Sequence, residues 1–290
     1  MNLKYFFRLN GDRIDYFDSG SGADLLIYHH GTPGAGPLHA DLLNPAHASD
    51  LRIVELVRPG YGNSTRAPGR SVADVVTLAD ELASHLGFDR YVTMGWSGGG
   101  PHALANIALS PKRCVAAMSL AGVGMFGQPD LDFLKGMGQD NHDEFGAAVA
   151  GEPELRTYLE TGLTEMQQVT GAQIVEMMGS LLPDEDRESL TGEFGEDMAE
   201  IFRWSVHAGV DGWLHDDIAF VMPWGFELDQ IESPVTIWQG ATDLMVPFNH
   251  GKWLAQKIPH ANVNLLEGHG HLSIGKPALS EGFAWLKEQL

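Results

Sequence analysis

The run Gly95-Trp96-Ser97-Gly98-Gly99 sets one serine among glycines, after the β-type run Arg90-Tyr91-Val92-Thr93-Met94 and ahead of a helical pattern that begins near Pro101. A strand that turns this tightly into a helix forces the serine into a strained backbone conformation and holds its hydroxyl out at the end of a sheet. Glycine on both sides relieves steric clash at the turn. Amide groups at the start of the helix can then receive negative charge. The chemistry such a residue could perform is nucleophilic attack by an activated hydroxyl.

A serine hydroxyl needs a base to take its proton, normally a histidine whose tautomer a buried carboxylate fixes. In strand–turn–helix sites of this kind the order along the chain is serine, acid, histidine. Asp243 is the candidate acid. It follows the apolar run Pro234-Val235-Thr236-Ile237-Trp238 and the turn Gln239-Gly240-Ala241-Thr242. Read in isolation, the same aspartate is an Asx-turn or a helix N-cap. The candidate base lies in Gly268-His269-Gly270-His271, where two histidines compete. The order glycine, histidine, apolar residue selects His271, which Leu272 follows, over His269. A metal reading of the His-x-His pair lacks a third and fourth ligand at suitable spacing, so no metal is expected.

Acyl chemistry also needs two N–H donors aimed at the developing oxyanion. Gly98, directly after the serine, is expected to supply one. Thr32 is expected to supply the other, from His29-His30-Gly31-Thr32-Pro33-Gly34, because Pro33 has no N–H. The rival reading of residues 31–36 as a phosphate loop fails for want of a terminal Gly-Lys-Ser/Thr.

Together, His30-Gly31-Thr32-Pro33, Arg58-Pro59-Gly60-Tyr61-Gly62-Asn63-Ser64, the serine turn, the stretch from Gly240 to Asp243, and Gly270-His271 resemble the α/β-hydrolase superfamily across residues 29–271. One departure is Val57, where many relatives carry an aspartate before the Arg-Pro-Gly turn that buttresses the oxyanion loop. Haloalkane dehalogenases and epoxide hydrolases use an aspartate where this chain has Ser97, so the resemblance does not extend to their alkyl-ester chemistry. Proline-peptidase relatives read His-Gly-Gly-Pro-Gly where this chain has Thr32.

The elements that must position these residues read as α/β. Strand-like runs fall at 4–9, 13–18, 25–29, 52–57, 91–95, 114–120, 235–239 and 262–266, and helical patterns at 71–86, 99–110, 250–258 and 277–290. This alternation predicts a mostly parallel sheet with helices on both faces. Asn10-Gly11 predicts a hairpin that pairs the first two strands antiparallel at one edge. Ligands in such sheets bind beyond the carboxyl ends of the strands, and Thr32, Ser97, Asp243 and His271 all lie just past predicted strand ends. The resemblance implies an eight-stranded α/β-hydrolase fold, with a core formed by 1–123 and 224–290 and an inserted helical cap at 124–223.

That middle segment holds 21 of the 39 acidic residues and only 4 of the 18 basic ones. Helical stretches are expected near 152–169, 172–182 and 195–208, with hinges near 122–129 and 222–225. Its Phe126, Met137, Met166, Met177, Met178, Phe202, Trp204 and Trp213 could line an apolar acyl pocket or join the helix–core interface. Asp216-Asp217 reads as a helix cap or a solvated pair. Trp96 and His30 are further candidates for the substrate pocket.

A formal charge of −21 opposes binding to nucleic acid or anionic membrane. No apolar run approaches the roughly 20 residues of a membrane helix. The first twelve residues alternate as a strand and lack a secretory apolar stretch. The single Cys114 excludes an internal disulfide and reads as a small buried group. These features favour a cytoplasmic setting.

The expected function is hydrolysis of a carboxylic ester or related acyl bond by Ser97, Asp243 and His271, with no cofactor. The expected partner is a small-molecule acyl substrate, and the oligomeric state stays open. Lactonase, proline aminopeptidase and carbon–carbon hydrolase remain alternatives, as does a non-catalytic small-molecule receptor on the same fold.

Overall fold

A computed structural model describes residues 2–290. Eight strands form one sheet: β1 (Asn2–Phe7), β2 (Arg13–Asp18), β3 (Asp24–His29), β4 (Leu51–Leu56), β5 (Tyr91–Trp96), β6 (Cys114–Leu120), β7 (Val235–Gly240) and β8 (Asn262–Leu266). Their order across the sheet is β1-β2-β4-β3-β5-β6-β7-β8. β1 and β2 form the expected antiparallel hairpin, with Phe7 opposite Arg13 and Gly11 at φ +90° in the turn. β2 also runs antiparallel to β4, and every later pairing is parallel.

The central strands are buried on both faces, which is why β3 reads as a continuous apolar run and not an alternation. Period-two geometry still sorts its side chains. Leu26 and Tyr28 join one core with α1 (Ala40–Ala48) and α11 (Gly275–Lys287). Leu25 and Ile27 join the other with α2 (Val75–His85), α3 (Gly99–Leu109) and α10 (Phe248–Lys257). Cys114 is fully buried in β6.

Strand expectations hold to within two residues. The helix expected from residue 71 starts later, because 72–74 form a 3-10 turn capped by Ser71 and Asp74. Helix α1 was not anticipated. Pro45 sits inside it, where proline ordinarily breaks a helix. Burial of Leu42 and Ala46 against the sheet outweighs that penalty.

Between β6 and β7 the chain is helical: α4 (Gln139–Ala150), α5 (Glu152–Met166), α6 (Ile174–Met177), α7 (Asp184–Ser189), α8 (Gly192–Val206) and α9 (Asp211–Val221). Sequence periodicity anticipates α5, α6 and α8. It misses α4, α7 and α9. In α9, Trp213, Leu214, His215, Asp216, Asp217, Ala219 and Phe220 are all buried, so no polar face marks the helix. Among the described residues, no helix is long and apolar enough to cross a membrane.

Candidate active site

Ser97 follows β5 directly and has φ +57°, in the left-handed region that side-chain-bearing residues rarely occupy. Its amide donates to the Leu120 carbonyl at 2.9 Å, and its carbonyl accepts from Gly100 at 2.9 Å. The flanking glycines answer to close packing. A Cβ on Gly95 would strike the Gly99 carbonyl, and one on Gly99 would strike the His29 carbonyl. The turn therefore fits only between β3 and α3, and it leaves Ser97 on the wall of a cavity of about 410 Å³.

His271 and Asp243 meet, as the spacing predicts. The Asp243 Oδ2 lies 2.8 Å from His271 Nδ1, and both side chains are buried. Asp243 is held by three further bonds, from the Met245 and Val246 amides to Oδ1, each at 2.8 Å, and from Gln239 Nε2 to Oδ2 at 2.9 Å. Gln239 in turn donates to the Val246 carbonyl at 2.7 Å. His269 makes no hydrogen bond to Asp243. Burial pushes the His271 ring toward its neutral form, but the charge and hydrogen bond of Asp243, aided by Asp186, outweigh it and raise the pKa above 6.5. Ser97, Trp96 and His271 border a second, smaller cavity of about 100 Å³, which shares Thr32, Ser97 and Met245 with the larger one. No hydrogen bond joins Ser97 to His271. Such contacts commonly tighten only when substrate is bound.

Thr32 and Gly98 both line the larger cavity beside Ser97. Among the described residues, no protein acceptor takes the amide of either. The loop that carries Thr32 is braced from below by Arg58. Its guanidinium donates to the His30 carbonyl at 2.7 Å, the Gly31 carbonyl at 2.9 Å and Thr32 Oγ1 at 3.1 Å. The same guanidinium pairs with Asp216 at 2.5 Å. Asp216 also accepts from Tyr61 Oη at 2.8 Å, Thr32 Oγ1 at 2.8 Å and Arg70 at 2.5 Å.

Asp216 is thus neither a helix cap nor a solvated pair, as its sequence context had implied. It is fully buried between two guanidinium groups. Burial alone would raise its pKa; Arg58 and Arg70 hold it well below the usual carboxylate range. His30 also departs from expectation. It does not reach the cavity but lies fully buried under the loop, its Nδ1 2.8 Å from the Gly31 carbonyl and its Nε2 accepting from the Arg58 amide at 3.3 Å. Desolvation keeps it neutral. Of the apolar residues weighed for the pocket, Met137, Met166, Met177, Met178, Phe202 and Trp213 line the larger cavity. Trp204 instead packs edge-on against Phe17.

Two features escaped sequence reasoning. Asp186 of α7 is fully buried and accepts the amides of His271 at 2.7 Å, Leu272 at 3.1 Å and Ser273 at 2.8 Å, plus the Ser273 hydroxyl at 2.8 Å. A Cβ on Gly270 would meet that carboxylate, which explains the glycine before the histidine. The second is the carboxyl pair Glu144 and Asp217 on the cavity wall. No local signal marks either, since each depends on a partner far along the chain.

A family model described as the alpha/beta hydrolase fold matches residues 24–276. The chain belongs to the α/β-hydrolase fold family. Haloalkane dehalogenase 2 of Mycobacterium tuberculosis is 33% identical to this α/β-hydrolase over 102 residues, which is 34% of this chain and about a third (35%) of the length of that relative. Bromoperoxidase from Bacillus anthracis superposes with a TM-score of 0.71 at 20% identity, covering 99% of this chain and 100% of that one. An esterase from Exiguobacterium antarcticum superposes at 0.69 and 16% identity, covering 98% and 99%. At such identities the likeness of this α/β-hydrolase to the two solved structures is one of fold.

Proposed function

We propose that this α/β-hydrolase cleaves carboxylic esters through an acyl-enzyme on Ser97. His271 takes the Ser97 proton as Oγ bonds to the ester carbonyl carbon. The carbonyl oxygen becomes an oxyanion, received by the amides of Thr32 and Gly98. The carbon–oxygen bond to the alcohol then breaks, and His271 gives that oxygen the proton. Water attacks the acyl group, His271 takes the water proton, and the acid leaves as Ser97 regains its hydrogen. Asp243 orients His271 and offsets its charge. No cofactor enters the sequence.

The observation that carries this reading is the 2.8 Å contact of His271 with Asp243, on a ring that borders the same cavity as the left-handed Ser97. The two unengaged amides of Thr32 and Gly98 support it. In the same reading α4–α9 form a cap at 124–223 over a core of 1–123 and 224–290, because most of the cavity lining comes from those helices.

The test is hydrolysis of p-nitrophenyl acetate and butyrate, with mass spectrometry of the quenched protein. Turnover, an acyl adduct on Ser97, and loss of about 10⁴-fold or more in Ser97→Ala are expected. Equal release by the wild-type and Ser97→Ala proteins, both folded, would leave a small-molecule receptor as the better reading.

A further inference from the structure

Four carboxyl side chains, Asp140, Glu144, Glu165 and Asp217, line the 410 Å³ cavity beside Ser97, and no lysine, arginine or histidine does. Two of them meet. Asp217 of α9 is 1% exposed, and its Oδ2 has no donor. Glu144 of α4 lies against it, half-buried, with Oε1 accepting from Trp213 Nε1 at 2.7 Å. Two carboxyls this close do not both ionise in an apolar setting. Burial raises both; Glu144 raises Asp217 further, to well above the usual carboxylate range, whereas the hydrogen bond with Asp217 partly offsets the rise of Glu144. The pair therefore shares one proton and carries one negative charge. The neighbouring cation is Arg70, already committed to Asp216. An uncompensated charge in a methionine-rich cavity is costly, and a cation on a ligand would offset it.

We infer that the Glu144–Asp217 pair is the recognition point for a primary or secondary ammonium group, so that ligands entering beside Ser97 carry a basic nitrogen. This rests on the proposed reading of Ser97 only for the statement that such ligands are acyl substrates. Much of the remaining lining is apolar, including Met137, Phe145 and Phe220. Such a wall suits a short hydrocarbon or aromatic spacer between the nitrogen and the reacting carbonyl.

Binding has a proton balance. The ammonium offsets the single charge of the pair, which keeps its shared hydrogen; where the free pair is doubly protonated, one proton leaves to solvent as the cation binds. The groups that face the pair set how readily this happens. Asp140 on the same helix and Asp216 on α9 oppose loss of the proton, Arg70 and the Trp213 indole N–H favour it, and Tyr158 on α5, its own pKa raised by burial and these carboxylates, stays neutral. Affinity should rise with pH below the raised titration of the pair, by up to tenfold per unit.

The experiment is calorimetry on Ser97→Ala with 3-phenylpropylamine and its neutral isostere 3-phenylpropanol, in buffers of different ionisation enthalpy. Expected are at least tenfold tighter binding of the amine, release of up to one proton per amine bound, and loss of the preference in Asp217→Asn. Glu144→Gln, which keeps the shape of the partner, provides a second variant should Asp217→Asn not fold. Equal affinity for amine and alcohol would overturn the inference, as would a preference that survives in the Glu144→Gln variant or in the folded Asp217→Asn variant. If the amine fails to bind while Ser97-dependent ester turnover persists, this inference alone falls. If the amine binds and Ser97→Ala leaves turnover unchanged, the recognition point stands and the acyl-enzyme reading falls.

Discussion

Asp186 Oδ2 accepts the backbone amide of His271 at 2.7 Å, although the two stand 85 positions apart in the chain. The aspartate belongs to a short helix of the segment between β6 and β7, and the histidine to the loop after β8. The helical segment therefore does more than line the cavity, since one of its side chains fixes the backbone of the proposed base. The carboxylate takes three consecutive amides and a hydroxyl. That arrangement holds the backbone and leaves the His271 ring to hydrogen-bond with Asp243.

Asp186→Asn tests this. An amide has one acceptor oxygen for four donors, so buried N–H groups lose partners at about 1–3 kcal/mol each. A lower denaturation midpoint and a 10- to 100-fold fall in kcat are expected, with KM little changed. The informative readout is the pH profile. The Asp186 charge raises the His271 pKa, so its removal should move the acid limb of kcat/KM to lower pH. Gly270→Ala, which crowds the same carboxylate without removing its charge, should lower kcat and leave the limb in place. An unmoved limb in Asp186→Asn would reduce the residue to a purely structural one.

In the proposed mechanism the neutral His271 is the active base, so kcat/KM of the wild-type protein should rise with pH through a midpoint above 6.5. Stability should move oppositely. A histidine whose folded pKa exceeds its unfolded value stabilises the fold fully below the unfolded pKa, and that contribution is lost as pH rises through the folded one. Asp243→Asn removes the favourable charge and leaves desolvation dominant, which should drop the midpoint below 6.5 and cost about 10⁴ in kcat. Kinetics across pH 5–9 decide the matter, and a limb that starts below pH 5 would show that His271 is not the titrating group.

Ser97, Asp243 and His271 were legible because each sits in a local frame: an apolar run, a glycine, then the residue. The same frame places β3 and the Thr32 loop. Asp216 was illegible because its partners Arg58 and Tyr61 lie 158 and 155 residues away. A buried ion pair has no periodicity, and two adjacent aspartates look like a solvated turn until the arginines arrive. His30 misled for the opposite reason. Its neighbours in sequence reach the cavity, but the side chain turns under the loop onto Tyr61. Helix α9 was lost to the same polar residues that make it matter.

Thr32 offers two groups, an amide that no protein acceptor among the described residues takes and a hydroxyl that donates to Asp216. Only the amide has a part in the proposed oxyanion site. Thr32→Val keeps the amide and the branched shape while removing two hydrogen bonds, one donated to Asp216 and one accepted from Arg58, of about 1–1.5 kcal/mol each. Its kcat for p-nitrophenyl butyrate should stay within about tenfold of wild type, with a small fall in melting temperature. A loss near 10³ would mean that the hydroxyl itself stabilises the reacting oxygen.

The ion cluster under the oxyanion loop makes the sharpest stability prediction. Arg58 and Asp216 are 1% and 0% exposed at the side chain, and Arg70 completes the group. Removing one partner strands buried charge at a typical cost of about 3–5 kcal/mol, whereas replacing the pair by apolar groups of similar size is often near neutral. Asp216→Leu should thus destabilise strongly in urea, leaving two guanidinium groups without their carboxylate. The Arg58→Met/Asp216→Leu double variant should recover part of that loss, because only Arg70 remains unpaired. Activity should not recover with stability. Arg58 also holds the His30 and Gly31 carbonyls, so the double variant loses the brace that aims the Thr32 amide. Recovery of both stability and kcat together would show that the arginine serves the fold and not the loop.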